Sequence, residues 1–243
     1  EGTFFYADKM HARQGFEWIH PVHEVLRYTG GGEAQRALCQ GMRLEHHPDV
    51  QKSRAQYLPL LELAVQEAPQ DDRSLHYLGR EYLFHQRWND CIATLKRHLA
   101  LPSATWRDER CASMRYIARA YGARGNAYEQ ECYLLRAAGE APHLREPWMD
   151  LARMYYARQN WPGVAYACER ALQIADRPRT YMTEPESFGA LPWDLLSIAC
   201  YQLEQYSRAA QAAREALRLA PQDARIAENV RLMEEKAGCG TEE

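Results

Sequence analysis

The chain has 243 residues, 46% hydrophobic and 26% charged, a size and balance that suit one large packed domain or two smaller ones. Its 30 basic and 33 acidic residues leave a net charge of −3 without any block of like charges, so neither nucleic acid nor an anionic membrane surface is expected as a partner. No run approaches the roughly 18 apolar residues of a membrane span, and the start lacks the plan of a signal peptide.

Seven cysteines, Cys39, Cys91, Cys111, Cys132, Cys168, Cys200 and Cys239, are an odd number without a CxxC pair. That argues against a disulfide framework or a zinc ribbon and fits a reducing, cytoplasmic setting. Cys91, Cys168 and Cys200 are expected in small buried helical slots.

The chain begins at Glu1 and enters an apolar run at Phe4, Phe5 and Tyr6 without a lead-in, from which we expect its natural beginning to lie elsewhere. Up to residue 50 the helical period is absent. GTFFYADKM (2–10), FEWIHPVHEVLRY (16–28) and GMRLEHH (41–47) are rich in β-formers, and Gly30 to Gly32 offer a turn between the last two, which predicts strands and a hairpin. So short a segment buries too little apolar area to fold alone.

Five of the nine histidines fall in this segment: His11, His20, His23, His46 and His47. HPVHE cannot imitate the helical zinc motif HExxH, because Pro21 breaks the helix on which ligands one turn apart would converge. A metal ligand at His20 or His23 would act from a strand or turn with partners supplied from afar. The residues alone favour a structural or surface role.

From SRAQYLPLLELAVQEAP (53–69) onward the apolar spacing is helical. A first-helix pattern then appears four times: Leu75, Leu78, Gly79, Tyr82; Met114, Ile117, Ala118, Tyr121; Trp148, Leu151, Ala152, Tyr155; Trp193, Leu196, Ser197, Cys200. Second helices follow with Cys91 and Leu95, Gln130 and Leu134, Val164 and Cys168, and Ala209 and Ala213, of which only Gln130 is out of character. Pro69, Pro102, Pro142 and Pro221 close helices, while Pro178 falls late, as it would after a longer second helix.

The starts at 75, 114, 148 and 193 are 39, 34 and 45 residues apart. This predicts a mainly α fold, a tetratricopeptide-like solenoid of helical hairpins preceded by the short β-rich segment. The first insertion, in PSATWRDERC, carries Thr105 ahead of Asp108 at capping-box spacing and predicts a lengthened helix. The second, PRTYMTEPESFGALP (178–192), has three prolines, cannot be one helix and is expected to fold back over the array. RIAENVRLMEEKAG supplies a polar cap through Ile226, Val230 and Met233, and the tail is expected to be disordered. The resulting division is 1–50, 51–237 and 238–243.

Trp148, Trp193, Tyr82 and Tyr155 stand where the packing itself demands large residues. Arg73 and Arg80 do not recur in a pattern that would clamp a peptide carboxylate, so no specific peptide ligand is readable.

HARQGFEWIHPVHEVL (11–26), the segment 44–84 with its HPDVQKSR, and RHLALPSATWRDERCASMRYIARAY (97–121) resemble bacterial family 2 glycosyltransferases in which tetratricopeptide repeats follow the catalytic domain. The resemblance implies an upstream α/β nucleotide-sugar domain of GT-A type, whose DxD motif holds a divalent cation such as manganese. It implies a metal-ligand role for His23, a catalytic role for Glu24, and Trp18 lining the sugar or acceptor pocket. A cation there would act as a Lewis acid on the departing diphosphate. The chain contains no DxD, no glycine-rich nucleotide loop and no βαβ series. No cofactor is therefore expected on this chain alone, nor sugar transfer by it.

Two readings follow. In the first the chain is the C-terminal segment of such an enzyme, its repeats holding a protein, peptide or glycan acceptor, or a partner, beside a missing catalytic half. In the second it is a free-standing, non-enzymatic interaction module whose N-terminal strands cap the array.

Overall fold

The computed structural model describes residues 5–8, 10–39, 41–45, 47 and 55–239. Among them are two strands, β1 (Phe16–Ile19) and β2 (Val25–Tyr28), and ten α-helices. These helices are α1 (Tyr57–Glu67), α2 (Asp72–Phe84), α3 (Trp88–Ala100), α4 (Arg107–Ala123), α5 (Ala127–Glu140), α6 (Glu146–Ala157), α7 (Trp161–Leu172), α8 (Leu191–Gln202), α9 (Tyr206–Leu219) and α10 (Ala224–Cys239). The chain divides into two compact units, Ala7–Ala104 and Thr105–Glu243 with Glu1–Tyr6.

In the first unit β1 and β2 pair antiparallel, with Phe16 opposite Tyr28 and Ile19 opposite Val25. The hairpin therefore lies inside the segment read as a single strand, and its turn is HPVHE rather than the three glycines. His20 and His23 take positive φ of 71° and 57° to close it, a conformation that sequence cues assign to glycine. The described residues of GTFFYADKM and GMRLEHH form no strand. His46 and the stretch 48–54, which carries most of HPDVQKSR, lie outside the described residues.

The helical part of this unit is α1 packed on α2 and α2 on α3. Leu75, Leu78 and Tyr82 are buried against Cys91 and Leu95, and Gly79 admits the Leu95 side chain where a larger residue would collide. Asp71 caps α2 by accepting from the Ser74 amide at 2.7 Å, which satisfies one of the unpaired N–H groups at the helix start.

The second unit consists of the hairpins α4–α5, α6–α7 and α8–α9, with α10 closing on α9 through buried Ile226 and Met233. The repeat positions pack as their spacing predicts: Ile117, Ala118, Leu151, Ala152, Leu196 and Ser197 are buried, as are Val164, Cys168, Ala209 and Ala213. Gln130 occupies its slot because the partner is Gly122, where a Cβ would lie 2.6 Å from the Gln130 amide.

Prolines 69, 102, 142 and 221 each fall two residues past a helix end, where the missing N–H does no harm. Pro178 is late for a different reason than the one expected. Helix α7 stops at Leu172, and an irregular strap follows, ending in a short 3-10 helix, Pro185–Phe188. The first insertion does lengthen a helix, since α4 has 17 residues, but no side chain caps it and Thr105 stays exposed. Helix α10 takes in Gly238 and Cys239, and residues 240–243 of the expected tail lie outside the described residues.

Candidate functional site

In the second unit the first helices of successive hairpins, α4, α6 and α8, neighbour one another and form an inner face. The strap folds back over it, as its prolines predict. Thr183 and Ser187 are buried. Tyr181 packs edge-on to Trp106 and donates to Glu109 Oε2 at 3.4 Å, while the Arg145 guanidinium donates to the carbonyls of Ile174 and Ser187 and lies over the Phe188 ring. Phe5 meets the Tyr181 ring edge-on from the start of the chain.

At the centre the strap delivers carboxylates to arginines of the inner helices. Arg115, 4% exposed, donates to Asp150 at 2.7 Å and to Glu184 at 2.8 Å. Arg119 reaches Asp150 at 3.3 Å and Glu184 at 3.4 Å, and Arg153 pairs with Asp150 and Glu186. The backbone N–H of Glu184 donates to Glu146 Oε1 at 2.9 Å. Glu146 Oε2 is buried and has no hydrogen-bond partner among the described residues.

The ionisation follows from this arrangement. Burial alone would raise the Asp150 carboxyl, but Arg115, then Arg119 and Arg153, outweigh it and hold it below the usual range. Burial would also strip the proton from Arg115, and Asp150 with Glu184 keep it well above its ordinary value. At Glu146 burial wins, and the carboxyl is raised. Beside the cluster an open depression of about 270 Å³ is lined by Ala118, Leu134, Met154 and Ala157 together with Arg119, Gln130, Asp150 and Arg153.

In the first unit a different non-repeat segment meets the corresponding position. The His23 ring stacks on Tyr77 at 3.9 Å, and its Nε2 lies 3.2 Å from the Arg80 guanidinium, which also sits over Tyr77. The His23 carbonyl accepts from Arg73 at 3.1 Å. Because a guanidinium can only donate, His23 Nε2 is the acceptor and holds its lone pair toward Arg80. A divalent cation at that atom would have to displace the guanidinium. Glu24 is exposed. Trp18, 51% exposed, meets the His11 ring edge-on at 5.8 Å. Tyr82 is buried and Trp148, Trp193 and Tyr155 are half-buried, in keeping with packing roles.

The inner-face arginines do leave a signal in the sequence. Gly79-Arg80, Ala118-Arg119 and Ala152-Arg153 are the same dipeptide position in three repeats, with Arg119 and Arg153 one 34-residue period apart. Arg80 therefore does recur, contrary to expectation. Within one repeat, where Arg73 and Arg80 stand side by side, the signal is invisible; it shows only when repeats are aligned on one another.

No family model and no curated protein sequence matches the chain. Its fold is similar to that of several solved structures. The crystal structure of MamA shares 15% identity at a TM-score of 0.55, covering 69% of this chain and 89% of that one. A chain of the APC/C hetero-tetramer Cut9-Hcn1 shares 13% identity at 0.54, covering 76% of this chain and 33% of its own length. TTC0263, a thermophilic TPR protein of Thermus thermophilus, shares 18% identity at 0.48, covering 72% of this chain and 88% of that one. The chain is a tetratricopeptide-like array of helical hairpins with a two-stranded antiparallel sheet near its N-terminus. Among its described residues no helix is long and apolar enough to cross a membrane.

Proposed function

We propose that the chain is a non-enzymatic interaction module that holds an extended protein segment on the inner face of α4 and α6. One observation carries this reading: that face already seats a non-repeat segment, the irregular strap, through arginines of α4 and α6. Tetratricopeptide-like arrays leave such a face open to partners because stacking buries only the sides of each hairpin.

The test is site-specific photo-crosslinking in the cell of origin. A benzophenone side chain replaces Ala157, which lines the groove, or Leu219, exposed on α9. A protein trapped at 157 but not at 219, and binding again when both components are purified, is the expected result. Equal trapping at both positions, or none, would sink the reading.

The glycosyltransferase ancestry is a second reading, carried by the motifs at 11–26 and 47–54 and not by the inner face. On it the chain is inactive alone, a glycan acceptor joins the candidate partners, and His23, Glu24 and Trp18 belong to an intact site with a divalent cation. Manganese should then raise the unfolding temperature of the chain, since a ligand of the native state stabilises it, and His23→Ala should abolish the rise. No shift would remove the metal role of His23.

A further inference from the structure

We propose that the groove between α4, α5 and α6 takes a partner segment in which an aliphatic side chain stands next to a carboxylate. The aliphatic group fills the depression over Leu134 and Met154, and the carboxylate takes Arg153 in place of Glu186, with Arg119 beside it. The proposal rests on the interaction-module reading for its choice of face, and it names the chemistry that reading leaves open.

Size is the first argument. A depression of about 270 Å³ is at or below the lower end of small-molecule sites, which run from roughly 300 to 1,000 Å³. It suits one side chain better than a cofactor. Ala118, Leu134 and Met154, the buried apolar part of its lining, favour an aliphatic side chain there, with the charged groups to one side for a carboxylate.

Charge is the second. Without the strap, the cluster has three guanidinium groups, on Arg115, Arg119 and Arg153, against the ionised Asp150 and a Glu146 whose carboxyl is raised by burial. Glu184 and Glu186 bring the missing negative charge. The groove is therefore built for carboxylates, and the strap shows how they sit: two glutamates separated by Pro185, each on a guanidinium. A lysine-bearing segment would set like charges together, a mismatch that suppresses wrong partners.

Exposure decides which carboxylate gives way. Arg115 and Asp150 are 4% and 8% exposed and Glu184 29%, so this inner group is fixed. Glu186 is 56% exposed and Arg153 35%, with Arg119 at 41% beside them. An exposed ion pair of this kind contributes little to stability, so swinging Glu186 into solvent leaves the fold intact. Arg153 then offers an incoming carboxylate the donors that Glu186 leaves, with the Arg119 charge, still on Asp150 and Glu184, beside it.

The experiment uses the full chain and three fluorescein-labelled peptides, GGELELGG, GGKLKLGG and GGESESGG, titrated by fluorescence anisotropy. The acidic leucine peptide should bind at least about tenfold more tightly than either of the others. Arg119→Ala with Arg153→Ala should weaken it about tenfold or more, Glu186→Gln should strengthen it, and raised salt should weaken it. Circular dichroism checks that the double variant folds, and Arg153→Gln alone gives the same readout if it does not.

Equal binding of the lysine or serine peptide, no binding of the acidic leucine peptide, or binding indifferent to Arg119 and Arg153 would each overturn the proposal. A purified partner that crosslinks at position 157 through a basic segment would overturn it too, while leaving the interaction-module reading standing. Absence of any crosslinked partner tells against that reading itself.

Discussion

At Gly79 a methyl group has no room: an added Cβ would lie 2.3 Å from Leu95 Cδ2 and 2.4 Å from its Cγ. Leu95 is fully buried and cannot turn aside. Glycine in a helix interior costs about 1 kcal/mol relative to alanine, so on propensity alone Gly79→Ala would stabilise α2. Overpacking a filled core costs about 1–3 kcal/mol and should win. We expect Gly79→Ala to lower the urea midpoint. Leu95→Ala alone should cost about 2–5 kcal/mol, and the double variant less than the two losses added, because the new methyl fills part of the space vacated. Strict additivity would show that the two groups do not meet. The pair was legible from the repeat pattern, whereas the Gly122–Gln130 pair was not. A glutamine in an apolar slot gives no hint, from sequence alone, that its partner is a glycine 8 residues earlier. The inner-face ion pairs were equally hidden, because Glu184 and Glu186 meet Arg115, Arg119 and Arg153 only once the strap has folded back.

Between the two helices of each hairpin the same turn is made four times. Arg87, Asn126, Asn160 and Gln205 donate their N–H groups to the carbonyls of Tyr82, Tyr121, Tyr155 and Cys200, each at 2.9 Å. The preceding residues, Gln86, Gly125, Gln159 and Glu204, donate to the next carbonyls along the helix end, those of Leu83, Gly122, Tyr156 and Tyr201, and hold φ between 56° and 74°. This is the Schellman arrangement, which absorbs the last carbonyls of the first helix and aims the chain back along the second. It explains why the last residue of each first-helix pattern, a tyrosine in three of the four and Cys200 in the last, sits at the turn. Only Gly125 takes the left-handed conformation without a Cβ penalty of about 1–2 kcal/mol. Replacing Gln86, Gln159 and Glu204 together by glycine should raise the unfolding temperature, by about 0.5 kcal/mol at each site once the greater freedom of unfolded glycine is subtracted. Gly125→Ala should lower it. A triple variant less stable than the parent would mean that the polar side chains at these positions matter more than the backbone. The HPVHE turn follows the same physics at His20 and His23, which is why its place was misread. Glycine marks where positive φ is easy, not where tertiary packing demands it.

The response of the whole molecule to acid combines groups of opposite sign. His76 is fully buried and its imidazole is held well below its usual range, first by burial and then by His98, Arg80 and Arg73. The folded state resists a proton that the unfolded chain accepts near pH 6.5. Stability from this group is therefore complete above about pH 6.5 and is lost as pH falls from there toward the folded-state value, with a slope of up to about 1.4 kcal/mol per pH unit. Asp150 acts in the same sense further down. Held low by Arg115 against its burial, it contributes stability above about pH 4 that disappears below it. Glu146 works the other way, because its raised carboxyl lets the folded state take up a proton first, so acidification through that range favours folding. Urea midpoints should thus hold steady from about pH 8 to about 6.5, fall toward about pH 5, and fall again below about pH 4. His76→Gln should flatten the first descent without touching the second. Glu146→Gln should steepen the change between the two by removing the opposing group. Midpoints that stay level from about pH 6.5 to about 5 in the parent chain would mean that His76 is not held neutral in the folded state, and with it the buried histidine pair at the heart of the first unit would need a different account.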